Sequence, residues 1–375
     1  MKRWIDRPLL LPPLRWLFLA AATVLTMSGC YVMRAAYEGG KLLWNRTPIS
    51  DQVANGDLPA DLRNKLEMIL RVRQFGRDNL GLNVGSAYLT TTQVHESAIV
   101  HVVMAAPPDS LEPYLWWFPI VGAVPYRGYF DASAANAEAT EMRDRGYDTI
   151  VRSSIAFSSL GFFDDPVLSN LLRLDRVELA GVLIHELFHR TFFLPSHVMF
   201  NESAATWVGA RGAVEFFKTT EGATSPDALD AQSVLESNLR FANFLLQEEA
   251  RLLKIYRSGA PRKEILIQRQ AAFTEIQRDY SRLAPTLNGL SRFDLDRQPL
   301  NNAVLLNYLL YFHDLGNFAT LDRMNNYDVK RTIAQIIEIA KSNPRDPFYA
   351  LWEVTRDGPP PDPPVDINWL PRFPQ

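Results

Sequence analysis

The chain has one cysteine, Cys30, in 375 residues. A single thiol excludes an intramolecular disulfide and a zinc site built on several cysteines. An excess of one charge is also missing: 39 Lys and Arg stand against 42 Asp and Glu, a formal net charge of −3. Without a basic surplus, nucleic acid is not an expected partner. The longest early apolar run, Trp16 to Met27, falls short of the roughly 20 residues that a membrane-spanning helix needs. No internal repeat is visible. Histidine is scarce, with six in the whole chain, yet His185, His189 and His197 fall close together. What remains is ordinary for a globular protein, with 47% hydrophobic and 22% charged residues. The length suits one large domain or two of moderate size.

The N-terminus has its own pattern. Lys2, Arg3, Arg7 and Arg15 precede the apolar run, and Ser28-Gly29-Cys30 follows it. A basic start, a short apolar stretch and small residues are the parts of an export signal. The small-small-Cys ending resembles the lipobox of bacterial lipoproteins, which implies that Cys30 is lipidated and becomes the mature N-terminus. Tyr31 stands where an Asp would signal inner-membrane retention, so the resemblance implies an outer-membrane lipoprotein facing the periplasm. An uncleaved anchor helix is the alternative. Either places the remainder on the far side of the membrane of a bacterial cell envelope.

Along the chain, residues 1–30 read as signal and lipobox and 31–58 as a tether. Apolar residues at helical spacing predict a helix from Pro59 to Leu80. Ala98 to Ala106 is β-branched and apolar and reads as a strand, with His95 and His101 near it in structural roles. Trp116 to Asp131 is too rich in Pro, Gly and aromatics for a regular helix or a central strand. It is a packed surface loop or a loop lining a cleft with Tyr126, Arg127 and Tyr129. A helix over Ala132–Arg145 and a strand beginning at Asp148 come next, then a turn at Asp164-Asp165-Pro166. Helices are expected over Arg173–Arg190, from Asn201 to about Lys218, over Asn301–Leu315 and over Asp328–Lys341. Residues 227–258 and 262–284 are long amphipathic stretches separated by Ser-Gly-Ala-Pro-Arg, the pattern of an antiparallel helical hairpin. Residues 358–375 form a Pro-rich tail. The fold class is α+β. A small mixed sheet packs on a helix pair within a catalytic region, 59–218, and a mainly helical region, 219–357, carries the long hairpin.

The chemistry is concentrated in H-E-L-F-H, His185 to His189. Residues four apart share one face of an α-helix, so both imidazoles can reach one metal ion. Glu186 projects beside them, placed to hold water. Two His ligands with an adjacent Glu as general base is the mechanism behind H-E-x-x-H. Catalytic zinc takes three protein ligands and keeps one position open. His197, Glu178 and Glu202 lie near enough in sequence to be the third. Glu178 is two turns up the same helix, too far to reach the ion. Glu202 opens the next helix in Asn201-Glu202, and a hairpin of two helices would bring it opposite the histidines.

H-E-L-F-H followed by N-E-S-A-A resembles the gluzincin metallopeptidases, and the short spacing between them is similar to one bacterial family described as predicted aminopeptidases. The segments AAPPDSLEPYLWWFPIVGAVPYRGYFD, SSIAFSSLGFFDDPVLSNLL, FNESAA and LNNAVLL resemble that family's segments in the same order, over most of Arg71 to Tyr311. The resemblance implies a Zn2+ peptidase with ligands His185, His189 and Glu202 and base Glu186. The chain departs from better-known gluzincins in that Ala205 and Thr206 stand where a second acid would follow.

Peptide hydrolysis also needs a donor for the developing oxyanion. Tyr126, Arg127 and Tyr129 are candidates, with Tyr308 and Tyr311 competing. An aminopeptidase further needs a carboxylate for the substrate's α-ammonium. Asp164 and Asp165 are candidates there, and they compete with a plainer role capping a helix that begins near Pro166. The expected partners are a peptide substrate and, through the N-terminal lipid or anchor, a membrane. The competing functional class is an envelope scaffold that keeps the helix pair without catalysis and uses the long hairpin to bind another protein.

Overall fold

A computed structural model describes residues 45–55, 57–94, 100–118, 122–154, 164–288, 295–296 and 298–358. Cys30, the signal, residues 31–44 and 56 of the expected tether, His95, residues 155–163 and the tail from 359 onward lie outside the described residues, while residues 46–54, also read as tether, form a short strand and a short helix.

The described chain begins with β1 (Arg46–Pro48), α1 (Ile49–Ala54) and α2 (Ala60–Asp78). The β-rich part follows: β2 (Thr90–Thr92), β3 (Val100–Ala106), β4 (Trp116–Phe118), β5 (Gly122–Val124) and β6 (Arg127–Tyr129). After α3 (Ala132–Asp144) come β7 (Asp148–Ser154) and β8 (Val167–Leu168). The remainder is helical: α4 (Arg176–Thr191), α5 (Val198–Glu221), α6 (Pro226–Tyr256), α7 (Arg262–Leu283), α8 (Asn302–Phe312), α9 (Leu315–Met324), α10 (Val329–Ser342) and α11 (Pro347–Thr355). The architecture is α+β. The β structure is divided among three small sheets, ordered β1-β2-β8, β6-β3-β7 and β4-β5, where a single small mixed sheet was expected. The aromatic loop supplies β4, β5 and the edge strand β6, short pieces that a Pro- and Gly-rich segment can form at a sheet margin.

The sheet β6-β3-β7 positions the site through its two faces. Successive strand residues point to opposite faces, and residues paired across an antiparallel ladder share a face. Val103 pairs with Arg127 and Val151, and His101 with Tyr129 and Ser153. Val103, Val151 and Tyr129 pack with Ala135 and Ala139 of α3. The opposite parity holds Val102, Met104 and Ile150, which enter the main core beside Val304, Leu305 and Leu309 of α8. That core continues into Phe241, Leu245 and Leu252 of α6 and Phe273, Ile276 and Tyr280 of α7. The sheet and the C-terminal helices therefore bury one shared apolar body. Arg251 of α6 pairs with Glu275 and Asp279 of α7, while Phe244, earlier in α6, meets Tyr280, later in α7. The two helices thus run in opposite directions.

Helix α4 begins where Asp175 accepts the backbone N–H of Glu178 at 2.7 Å, satisfying one of the donors a helix start leaves open. It ends before Pro195. Helix α5 starts at Val198, three residues earlier than the Asn201 start the sequence suggested, because Val198 and Phe200 are buried and gain most from joining the helix. Where α4 and α5 cross, Gly181 meets Gly209. A Cβ on Gly209 would stand 2.6 Å from the Gly181 carbonyl oxygen and 3.1 Å from the His185 Cβ, so the two backbones approach as closely as they do only because that side chain is missing.

Candidate metal centre

His185 and His189 sit one turn apart on α4, and Glu202 faces them from the second turn of α5. Their Nε2 atoms are 3.1 Å apart, and the Glu202 Oε2 is 3.3 Å from each. Among the described residues these three form a group able to hold a metal ion. Two donors each about 2.0–2.1 Å from one ion at the tetrahedral angle lie about 3.3 Å apart, close to the 3.1, 3.3 and 3.3 Å of the three edges. Two imidazoles and a carboxylate with a fourth position left open is a donor set that fits zinc.

Position and charge follow from the packing. His189 is buried and Glu202 nearly so. Burial lowers the His189 imidazole's affinity for a proton, but the charge and hydrogen bond of Glu202 together raise its pKa above the ordinary value. For Glu202 burial pushes upward, and the two imidazoles outweigh it and hold the carboxyl well below the usual range. The side chain of Asn201 fixes the turn before this acid: Leu194 N–H donates to Asn201 Oδ1 at 3.0 Å, and Asn201 Nδ2 donates to the Leu194 carbonyl at 2.8 Å. Ser203, after Glu202, receives the His313 N–H at 3.2 Å and donates to the Leu310 carbonyl at 3.3 Å. These bonds lock α5 to the end of α8. Metal-binding imidazoles commonly donate their second N–H to a polar partner. The buried Nδ1 of His189 has none among the described residues.

Glu186 stands beside the group, and its charge acts on the phenols of Tyr88, Tyr126 and Tyr311. All three phenols are pushed upward, mainly by burial, and so remain protonated hydrogen-bond donors. Tyr126 also feels Glu202, Tyr311 and Arg152, and the Tyr311 ring lies 6.4 Å from that of His185. Tyr311 is therefore brought to the centre, and Tyr126 packs against the main core on the same side of the sheet.

The other loop candidates are placed elsewhere. Tyr129 donates to Glu138 Oε2 at 2.7 Å, and Arg127 approaches the same oxygen at 3.4 Å. Both lie on the α3 face of the sheet, because positions 127 and 129 share the parity opposite to 126. Tyr308 packs edge-on against Phe241, 5.6 Å away, within the core. His197 precedes α5 without capping it through its side chain, and neither it nor Glu178 joins the ligand group. Asp164 forms an ion pair with Arg190 at 3.2 Å. Asp165 is buried, and its carbonyl accepts the N–H of Tyr88 at 2.8 Å. No helix begins at Pro166, where β8 follows instead, and the cap of the motif helix is Asp175.

Arg152, Tyr88 and Gly209 went unnoticed in the sequence, and Asn201 was read as a helix start with no bonding role. Two of them carried a signal. Arg152 is a charge at the inward parity of an apolar strand. Gly209 is a glycine in mid-helix, a position that costs about 1 kcal/mol relative to Ala unless backbone proximity requires it.

The α+β fold thus carries a candidate His-His-Glu metal site on two crossing helices. The family described as "Putative aminopeptidase" matches residues 30–349, and the chain belongs to it. No curated protein and no solved structure matches the chain.

Proposed function

We propose that the protein is a zinc-dependent peptidase, acting as an aminopeptidase on peptides in the cell envelope. The observation that carries this reading is the triangle of His185, His189 and Glu202 with its edges of 3.1, 3.3 and 3.3 Å, with the carboxylate of Glu186 next to it. Zinc, when bound, supplies a Lewis acid that polarises a carbonyl and acidifies water. His185, His189 and Glu202 would hold the ion. Glu186 takes the proton of the attacking water and passes it to the leaving amine. Tyr126 and Tyr311 offer O–H donors to the carbonyl oxygen as it gains charge. For the substrate's α-ammonium, Asp164 and Asp165 are the candidate carboxylates, of which Asp164 also pairs with Arg190.

The basic, apolar and Ser-Gly-Cys pattern of residues 1–30 supports attachment through lipidated Cys30 on the periplasmic side. Among the described residues no helix is long and apolar enough to cross a membrane.

The test combines metal analysis of the purified protein with peptide hydrolysis before and after chelation. One equivalent of zinc and chelator-sensitive turnover are expected, and Glu186→Gln should keep the zinc while losing about 10²- to 10⁴-fold in rate. Zinc without turnover on any peptide would leave the scaffold reading standing. Equal hydrolysis of a dipeptide and its N-acetylated form would remove the aminopeptidase assignment alone. Intact residues 1–29 in the mass spectrum of membrane-extracted protein would remove the lipoprotein assignment.

A further inference from the structure

Arg152 lies on β7, opposite Val102 and two positions from Ile150, so strand alternation aims it at the α8 face of the sheet. There its Nη2 donates to the phenol oxygen of Tyr311, and its guanidinium carbon stands 5.1 Å from the centre of the Tyr311 ring. The Nε of the same guanidinium is buried and has no hydrogen-bond partner among the described residues. Tyr311 in turn lies over His185, with ring centroids 6.4 Å apart and planes inclined by 31°. A strand and a helix far apart in sequence thus place a fixed cation behind a phenol whose other side faces the metal centre.

A phenol has one hydrogen to donate and an oxygen that can accept. Because Arg152 donates to that oxygen, the hydroxyl hydrogen must point away from Arg152, and the rotor that a free phenol would turn is set. The guanidinium cannot accept a proton or lose one in working conditions, so this polarity is permanent. We propose that Arg152 is a positioning residue that fixes Tyr311 as the hydrogen-bond donor to the oxyanion formed when a peptide carbonyl is attacked at the His185–His189–Glu202 centre. The inference rests on the peptidase reading above. Arg152 touches neither ligand nor reacting atom in this arrangement. It acts through Tyr311 alone, by orienting the O–H and by supporting the negative charge that the phenol oxygen gains as its hydrogen is drawn toward the oxyanion. This is catalysis by a preorganised donor, which is strongest where water is excluded.

The test uses the full-length, zinc-loaded protein and four variants: Tyr311→Phe, Arg152→Met, the double variant, and Arg152→Lys. Zinc content and thermal midpoint are measured for each, so that a folding defect shows itself, and Arg152→Lys keeps the cation if Arg152→Met does not fold. The expected result for Tyr311→Phe is a fall in kcat of about 10²- to 10³-fold with little change in KM, the loss typical of one oxyanion donor. Arg152→Met should lose nearly as much, Arg152→Lys should recover part of it, and the double variant should be scarcely worse than Tyr311→Phe, because residues acting as a unit are not additive. A phosphinic peptide, which carries tetrahedral oxygens in place of the attacked carbonyl, should lose affinity for Arg152→Met in proportion to kcat/KM, while zinc content stays constant. Additive losses in the double variant would overturn the inference. So would a rise in KM confined to peptides with a free C-terminal carboxylate and absent for their amides, since Arg152 would then be binding substrate directly. In either of these cases an active wild type leaves the peptidase reading intact. A zinc-loaded wild type that hydrolyses no peptide overturns both together.

Discussion

Two histidine–acid clusters lie within the same helical body, and they differ in where their atoms aim. At the first, the Nε2 atoms of His185 and His189 and the Oε2 of Glu202 converge on one point. At the second, His313 at the end of α8 has Glu249 3.5 Å from its Nε2 and Asp314 3.7 Å from its Nδ1. The two ring nitrogens of an imidazole point in divergent directions, so the acids of the second cluster cannot share an ion with the ring between them. They hold a proton on it instead. Burial lowers the proton affinity of His313, but Asp314 and Glu249 raise it further, to a pKa of about 9. Phe348, with its ring centroid 4.6 Å away, covers the imidazole. Residue type alone does not separate a metal site from an ion pair. Convergence does, and convergence comes from the helix pair.

The sharpest way to break the contrast is to remove one converging donor. His189→Ala should lose the bound metal and, with it, essentially all hydrolysis. His313→Gln should keep both, as measured by metal content and turnover. Loss of metal in the His313 variant would mean that the two clusters are not separate in function.

A smaller effect is expected from moving the scaffold without touching a ligand. Gly209→Ala inserts a Cβ 2.6 Å from the Gly181 carbonyl and 3.1 Å from His185 Cβ, forcing α4 and α5 apart. We expect a destabilisation of about 1–3 kcal/mol, as for other overpacked interiors, together with weaker metal binding. Isothermal titration of the metal-free protein with zinc and a thermal melt measure the two effects. Unchanged zinc affinity would show that the helix crossing does not set the ligand spacing.

The gentlest probe is pH. His313 keeps its proton to pH about 9 in the folded protein and only to 6.5 in its ordinary state. Its contribution to stability is therefore complete below pH 6.5 and is lost as pH rises through about 9. His313→Gln should be less stable than the wild type by about 1–3 kcal/mol at pH 6. The gap should close steadily above neutrality in denaturant melts. A gap that does not depend on pH would show that His313 is held by packing and not by its two acids.

The comparison also marks what could be read without coordinates. His185, Glu186 and His189 were legible because their relation is local: a helix repeats every 3.6 residues, and four positions always return a side chain to the same face. Glu202 was legible at one remove, since a short connection between two helices leaves few ways to fold back. The α+β class followed from strand-like and helical periodicities that sit in separate stretches. The division of the β structure into three sheets was not legible, because edge strands of three residues carry too little pattern. Arg127 and Tyr129 looked equivalent to Tyr126 in an aromatic loop, and only the register Val103↔Arg127 and His101↔Tyr129 set them on the α3 face.

The sequence by itself therefore determined the candidate ligand types, their order and the helix that bears two of them, for these depend on neighbours within a turn or two. The tertiary structure alone decided that α4 and α5 cross at a glycine contact, that the acids beside His313 approach opposite ring nitrogens, and that Arg152 meets Tyr311 across a separation of 159 positions. Such distances are fixed by how a sheet face and a helix bury their apolar sides against each other, and no local propensity encodes that fit.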